Sequence, residues 1–134
     1  MRSLAIDDDF VALSKMVAML KPFGQCDAGM TSHEALVLFS TALKEARPYD
    51  LITIDINLPD MNGITLLGRL QEEELRRNAP RARKLMVTAD GTMGNVLAAA
   101  NGECDGFLVK PVDRAMLSEK LVALGLLMEG TGER

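Results

Sequence analysis

The sequence predicts an α/β domain, a five-stranded parallel sheet covered by helices on both faces. Two observations carry that reading. Short strand-like runs at residues 3–6, 25–28, 51–54, 85–87 and 106–109, all but the second largely apolar, alternate with segments of helical periodicity, the pattern of a parallel sheet. Four of those five runs end in a chemically capable side chain: Asp7 and Asp8, Asp55, Thr88 and Lys110. Right-handed crossovers bring the carboxyl ends of all five strands to one edge, so these side chains are expected to meet there.

The first strand, Ser-Leu-Ala-Ile at 3–6, runs into Asp7, Asp8 and Asp9. Phe10, Leu13, Val17 and Leu20 then mark one face of a helix, closed by Pro22 and Gly24. Asp9 is placed to cap it. Capping needs one Asp, and three in a row repel one another unless a cation relieves them. Residues 25–28 are polar enough for a sheet edge. Thr-Ser-His-Glu at 31–34 has the form of a capping box. Leu36, Phe39 and Leu43 continue it as an amphipathic helix to about Ala46. His33, the only histidine, falls in the exposed first turn and suits a surface role.

Leu51 to Ile54 is a buried strand ending at Asp55, followed by the turn-rich run Ile-Asn-Leu-Pro-Asp-Met-Asn-Gly. Ile64, Leu67 and Leu70 begin the next helix. It ends in Glu72, Glu73, Glu74, Arg76 and Arg77, read as a solvated end with i,i+4 pairs Glu72–Arg76 and Glu73–Arg77. The fourth strand ends in Thr88-Ala89-Asp90. A fourth helix is expected over residues 91–100, weakened by two glycines and an Asn in its first turns. The fifth strand leads to Lys110-Pro111, and Asp113 caps a last helix with Leu117, Leu121 and Leu124 on one face. The expected domain is 1–128, with a polar, frayed tail at 129–134.

The 134 residues fit one domain. A net charge of −4 gives no electrostatic footprint for nucleic acid. No apolar run reaches membrane-spanning length and no signal-peptide pattern opens the chain. Cys26 and Cys104 lack metal-ligand spacing and read as reduced cytoplasmic thiols.

At the shared strand edge, Asp7, Asp8 and Asp55 suit a hard cation such as Mg²⁺ in an all-oxygen site, with Mn²⁺ as an alternative. The carbonyl of Asn57 could add another oxygen. A carboxylate can also form an aspartyl-phosphate. The charge that spreads during such a transfer needs neutralising by a metal, the Lys110 ammonium, the Thr88 hydroxyl and backbone N–H groups.

These residues resemble the receiver domain of two-component response regulators, of the single-domain, chemotaxis-regulator type. The matching motifs are Asp7-Asp8, the nonapeptide from Asp55 to Gly63, Thr88-Ala89 and Lys110-Pro111, and the resemblance covers about residues 2–125. It implies a flavodoxin-like, doubly wound sheet of order 2-1-3-4-5 with its site at the switch point. It implies that Asp55 accepts a phosphoryl group from the phosphohistidine of a sensor histidine kinase or phosphotransfer protein. Asp8, Asp55 and the Asn57 carbonyl would bind Mg²⁺ directly and Asp7 through water. Thr88 and Phe107 would act as a switch, and the Lys110–Pro111 bond is expected to be cis. A downstream protein target, or a phosphorylation-dependent homodimer, would use the face of the fourth helix, fifth strand and fifth helix. Such a domain is a signalling phosphoacceptor, not an enzyme acting on an outside substrate.

Two alternatives use similar residues. A haloacid-dehalogenase-like phosphohydrolase would want a second Asp where Asn57 stands. A pseudo-receiver binding module would not need the full set Asp7, Asp8, Asp55, Thr88 and Lys110. Phosphotransfer with and without Mg²⁺ separates all three.

Overall fold

The structure is a computed structural model and describes residues 1–92 and 104–128. Its elements in chain order are β1 (Ser3–Ile6), α1 (Phe10–Leu20), β2 (Cys26–Gly29), α2 (Ser32–Lys44) and β3 (Leu51–Asp55), then α3 (Gly63–Arg76), β4 (Arg83–Thr88), β5 (Gly106–Val109) and α4 (Arg114–Ala123). A short 3-10 turn at Lys21–Phe23 follows α1. The helix expected over residues 91–100 falls, after a turn at Gly91 and Thr92, outside the described residues.

All strand pairs are parallel and the sheet order is β2-β1-β3-β4-β5. Side chains alternate across it, as strand geometry requires. Leu4, Ile6, Ile52, Ile54 and Met86 face one way, toward Ala35, Phe39 and Ala42 of α2 and Leu66, Leu67 and Leu70 of α3. Ala5, Leu51, Leu85, Val87 and Leu108 face the other, toward Leu13, Met16, Met19 and Leu20 of α1 and Leu117 and Leu121 of α4. The sheet is thus doubly wound and flavodoxin-like. Each fully buried Leu or Ile contributes on the order of 1.5–3 kcal/mol of transfer free energy. Among the described residues no helix is long and apolar enough to cross a membrane.

Asp9, Thr31, Asn62 and Asp113 cap α1, α2, α3 and α4 with their side chains. Three sequence expectations need correction. Phe10 is 68% exposed while Met16 and Met19 are buried. Phe10 lies in the first turn of α1, level with the strand ends, where the sheet offers it no surface, and the two methionines take the inward positions. The capping box at Thr31 is half formed: the Thr31 hydroxyl accepts from Glu34 N, but the Glu34 carboxylate accepts from Met30 N at 2.9 Å.

The third correction concerns the end of α3. Glu74 is not solvated. It continues the inward stripe four residues after Leu70 and is buried. Its partner is Lys84 of β4, fully buried, with Nζ 2.7 Å from Glu74 Oε1. Ala82 closes the group: its N–H donates to Glu74 Oε2 at 2.7 Å and its carbonyl accepts from Lys84 Nζ at 2.9 Å. Outside, Arg76 pairs with Glu73 instead of Glu72, and Arg77 also binds Glu73. These two hydrogen bonds hold the Glu73 carboxyl down at about 2.

Candidate functional site

The register places the side chains. Ile6 pairs with Ile54, so Asp7 and Asp55 leave adjacent strands at the same level. Asp55 is itself the last residue of β3, opposite Val87, and Lys110 follows the last β5 pair, Thr88 with Val109. Parallel strands of matched length therefore deliver three charged groups to one point.

Asp7 and Asp55 are both buried and Asp8 is exposed. One oxygen from each of Asp7, Asp8 and Asp55 lies within 4.8 Å of the others. Asp7 Oδ1 accepts from Asp9 N at 2.9 Å, and Asp7 Oδ2 pairs with Lys110 Nζ at 2.8 Å. The same ammonium is 3.7 Å from Asp55 Oδ2. Asp55 Oδ1 accepts from Asn57 N at 3.2 Å. Beside the pair, Asp7 and Lys110 line a cavity of about 300 Å³ with Ala5, Leu13, Met16, Thr53 and Val87.

The electrostatics follow from this crowding. Burial pushes the Asp55 carboxyl up to about 6, and the neighbouring Asp7 carboxylate adds to it. The Asn57 N–H and Lys110 work against the rise. At Lys110, burial favours the neutral amine. The hydrogen bond with Asp7 and the charges of Asp55, Asp7 and Asp9 prevail and hold its ammonium above the ordinary lysine range. Three carboxylates with one ammonium leave net negative charge at a strand edge. That donor set fits a small hard cation bound by oxygens.

The loop after β3 is built around Asp55. An antiparallel bridge joins Asn57 to Asn62. Gly63 N donates to Ile56 O at 2.7 Å. A Cβ on Gly63 would lie 2.3 Å from the Asp55 carbonyl oxygen, so only glycine lets α3 start this close to the strand.

Asp7, Asp8, Asp55 and Lys110 are brought together as the strand ends predict, and Asn57 touches Asp55 through its amide. Thr88 is at the end of β4 and buried, but its hydroxyl is occupied within its own loop. It accepts from Asp90 N at 3.0 Å and donates to Asp90 O at 3.3 Å. Phe107 is half-buried on β5, beside the α2–α3 side of the core. The Lys110–Pro111 bond is cis. Sequence reasoning included Gly63 and Asp60 in the Asp55–Gly63 motif but gave neither a role of its own. A glycine opening a helix was the available signal for the first. Asp60 acts across the fold, accepting from Ser32 N and His33 N, and had none.

Comparison with known proteins gives a consistent result. The family model for the response regulator receiver domain matches residues 4–122. Chemotaxis protein CheY-3 of Vibrio cholerae is 30% identical over 124 residues, covering 88% of this chain and 87% of that protein. The chain is also 27% identical to part of hybrid signal transduction histidine kinase L of Dictyostelium discoideum, covering 91% of this chain but 7% of that protein. A CheY-like receiver domain from Methanospirillum hungatei superposes with a TM-score of 0.74 at 28% identity, covering 92% of this chain and 91% of that one. A CheX–CheY–BeF3–Mg²⁺ complex from Borrelia burgdorferi shares the fold, with a TM-score of 0.76 at 22% identity over 95% of this chain and 90% of that one. With the family model spanning all five strands and the acidic strand edge among the matched residues, the chain belongs to the response regulator receiver domain family.

Proposed function

We propose that the chain is a phosphoacceptor of a two-component relay, taking a phosphoryl group on Asp55 in a Mg²⁺-dependent reaction. The observation that carries this is the meeting of the Asp7, Asp8 and Asp55 oxygens within 4.8 Å, with Lys110 beside them. In the transfer, an Asp55 carboxylate oxygen forms a bond to phosphorus as the P–N bond of a phosphohistidine breaks. The electron pair goes to the imidazole nitrogen, which takes up a proton. Asp8, Asp55 and the Asn57 carbonyl would hold Mg²⁺, with Asp7 supporting through water, and the ion would neutralise charge spreading over the phosphoryl oxygens. Mn²⁺ would fit the same donors.

Lys110 supplies the second cation. Its ammonium, 2.8 Å from Asp7 and 3.7 Å from Asp55, is near enough to meet the oxygens of a phosphoryl group on Asp55. Asn57 N–H orients the accepting carboxylate. Thr88 would exchange its bonds to Asp90 for one to the new phosphoryl group. Phe107 on the neighbouring strand would then follow. The donor is a sensor histidine kinase or phosphotransfer protein, the setting is cytoplasmic, and the output is protein contact at β5, α4 and the expected preceding helix. That contact is with a downstream target or a second copy, not with nucleic acid.

Incubation with acetyl phosphate followed by intact mass tests the reading. One added phosphoryl group with Mg²⁺ and none with EDTA is expected. No addition under either condition would refute it. An aspartate phosphohydrolase is not favoured, because Asn57 cannot serve as its second acid.

A further inference from the structure

The loop between β3 and α3 is anchored twice. Its base is closed by the Asn57–Asn62 bridge and by Gly63 N donating to Ile56 O. Its tip is held by another element altogether. Asp60 Oδ1 accepts from Ser32 N at 2.9 Å and Asp60 Oδ2 accepts from His33 N at 3.0 Å, both at the start of α2.

Those two amides have no partner within their own helix. The four leading N–H groups of a helix lack intrahelical partners. The cap residue Thr31 serves Glu34 N with its hydroxyl, at 3.1 Å, and Ala35 N with its carbonyl, at 3.1 Å. Ser32 N and His33 N are left for Asp60. The bonds are charge-assisted, and a carboxylate suits the positive end of a helix. One exposed carboxylate thus binds the tip of the loop to a helix whose Ala35, Phe39 and Ala42 are fixed in the core.

We propose that Asp60 is a positioning residue of the site: by clamping the loop tip to α2, it holds Asn57 against Asp55 in the arrangement that binds metal and accepts the phosphoryl group. The inference rests on the phosphoacceptor reading above. Within the loop, Asn57 N–H donates to the Asp55 carboxylate at 3.2 Å. With its tip free, the loop is no longer fixed to α2, and the Asn57–Asn62 bridge, whose residues flank Asp60, can shift relative to Asp55. Displacements of about 1 Å at a reacting centre can lower rates by on the order of a hundredfold.

The test compares Asp60→Ala, Asp60→Asn and Glu34→Ala with the wild type, at a temperature where circular dichroism shows each folded. Glu34→Ala removes a different bond at the same helix end, the one to Met30 N, and leaves the loop untouched. Mg²⁺ affinity is read from amide NMR shifts and labelling from acetyl phosphate with intact mass. Asp60→Ala is expected to label about tenfold more slowly or worse and to bind Mg²⁺ more weakly. Asp60→Asn, keeping one acceptor oxygen, falls between. Glu34→Ala loses stability but keeps wild-type affinity and labelling. Asp60 variants that match the wild type, or match Glu34→Ala in both readouts, overturn the proposal. If Asp60→Ala does not fold, Asp60→Asn decides by the same comparison. If the wild type takes no phosphoryl group, it is the phosphoacceptor reading that fails, and the Mg²⁺ titration still decides the clamp.

Discussion

Lys110 is paired with Asp7 more closely than with Asp55: its Nζ is 2.8 Å from the first carboxylate and 3.7 Å from the second. The ammonium therefore rests on the carboxylate proposed to act only through water, and Asp55 Oδ2 is left the more open oxygen. A cation entering the cluster replaces part of what Lys110 does there, since ammonium and metal repel.

From that arrangement, Lys110→Ala is expected to keep Mg²⁺ affinity within about fivefold, a change near 1 kcal/mol. Phosphoryl-dependent structural change should weaken strongly, because no second cation meets the phosphoryl oxygens. Mg²⁺ and beryllofluoride titrations of both proteins measure this. A loss of metal affinity of about a hundredfold would place Lys110 in the metal's own support.

The pH dependence of the metal-free protein should carry the mark of Asp55. Its folded carboxyl titrates at about 6, above its ordinary 3.8, because burial disfavours the anion. A raised folded pKa adds stability that is full below the unfolded value and lost as pH rises through the folded one. Asp55→Asn should then be more stable than wild type at pH 7.5 in EDTA, with the gap closing toward pH 4. Urea unfolding of both proteins measures the gap. A gap that is constant with pH contradicts the assignment.

Gly63→Ala should damage the site directly. The added Cβ would meet backbone, the Asp55 carbonyl at 2.3 Å and Ile56 Cα at 2.8 Å, so no side chain can swing away. Destabilisation of about 1–3 kcal/mol is expected, together with weaker Mg²⁺ binding. Urea unfolding and a Mg²⁺ titration check both. A neutral effect on both would mean that α3 can start elsewhere.

At the opposite end of the sheet, Glu74 and Lys84 form a buried pair. Burial pushes the Lys84 ammonium below the ordinary lysine range, and Glu74 opposes that. Removing either partner leaves a charge inside, at a cost of about 3–5 kcal/mol. The double variant Glu74→Leu, Lys84→Met should lose less than either single alanine variant. Chemical denaturation of the four proteins measures it. Additive losses would indicate that the two groups do not act as a pair.

Much of this molecule was legible in the sequence because its chemistry sits at strand ends. Strand alternation and crossover handedness suffice to bring Asp7, Asp55 and Lys110 to one edge, whatever the helices do in detail. The errors arose where position along the sheet, or distance in the chain, decides the outcome. Phe10 has the spacing of a core residue but lies beyond the sheet. Glu74 sits in a charged run and still faces inward, because Lys84 is waiting ten residues later on β4. Asp60 reads as a turn residue, and its role depends on amides 27 and 28 positions away. Thr88 was placed correctly, but no sequence pattern reveals that its hydroxyl is bonded to Asp90.

The central claim is that Asp55 is the residue that carries the phosphoryl group. The most direct measurement is peptide mapping after acetyl phosphate treatment with Mg²⁺ and borohydride trapping, on wild type and on Asp55→Asn. A single modified aspartate, within the peptide containing Asp55, is expected, with no modification of the variant. Label on Asp7, Asp8 or another residue in the wild type, or undiminished labelling of Asp55→Asn, would contradict it.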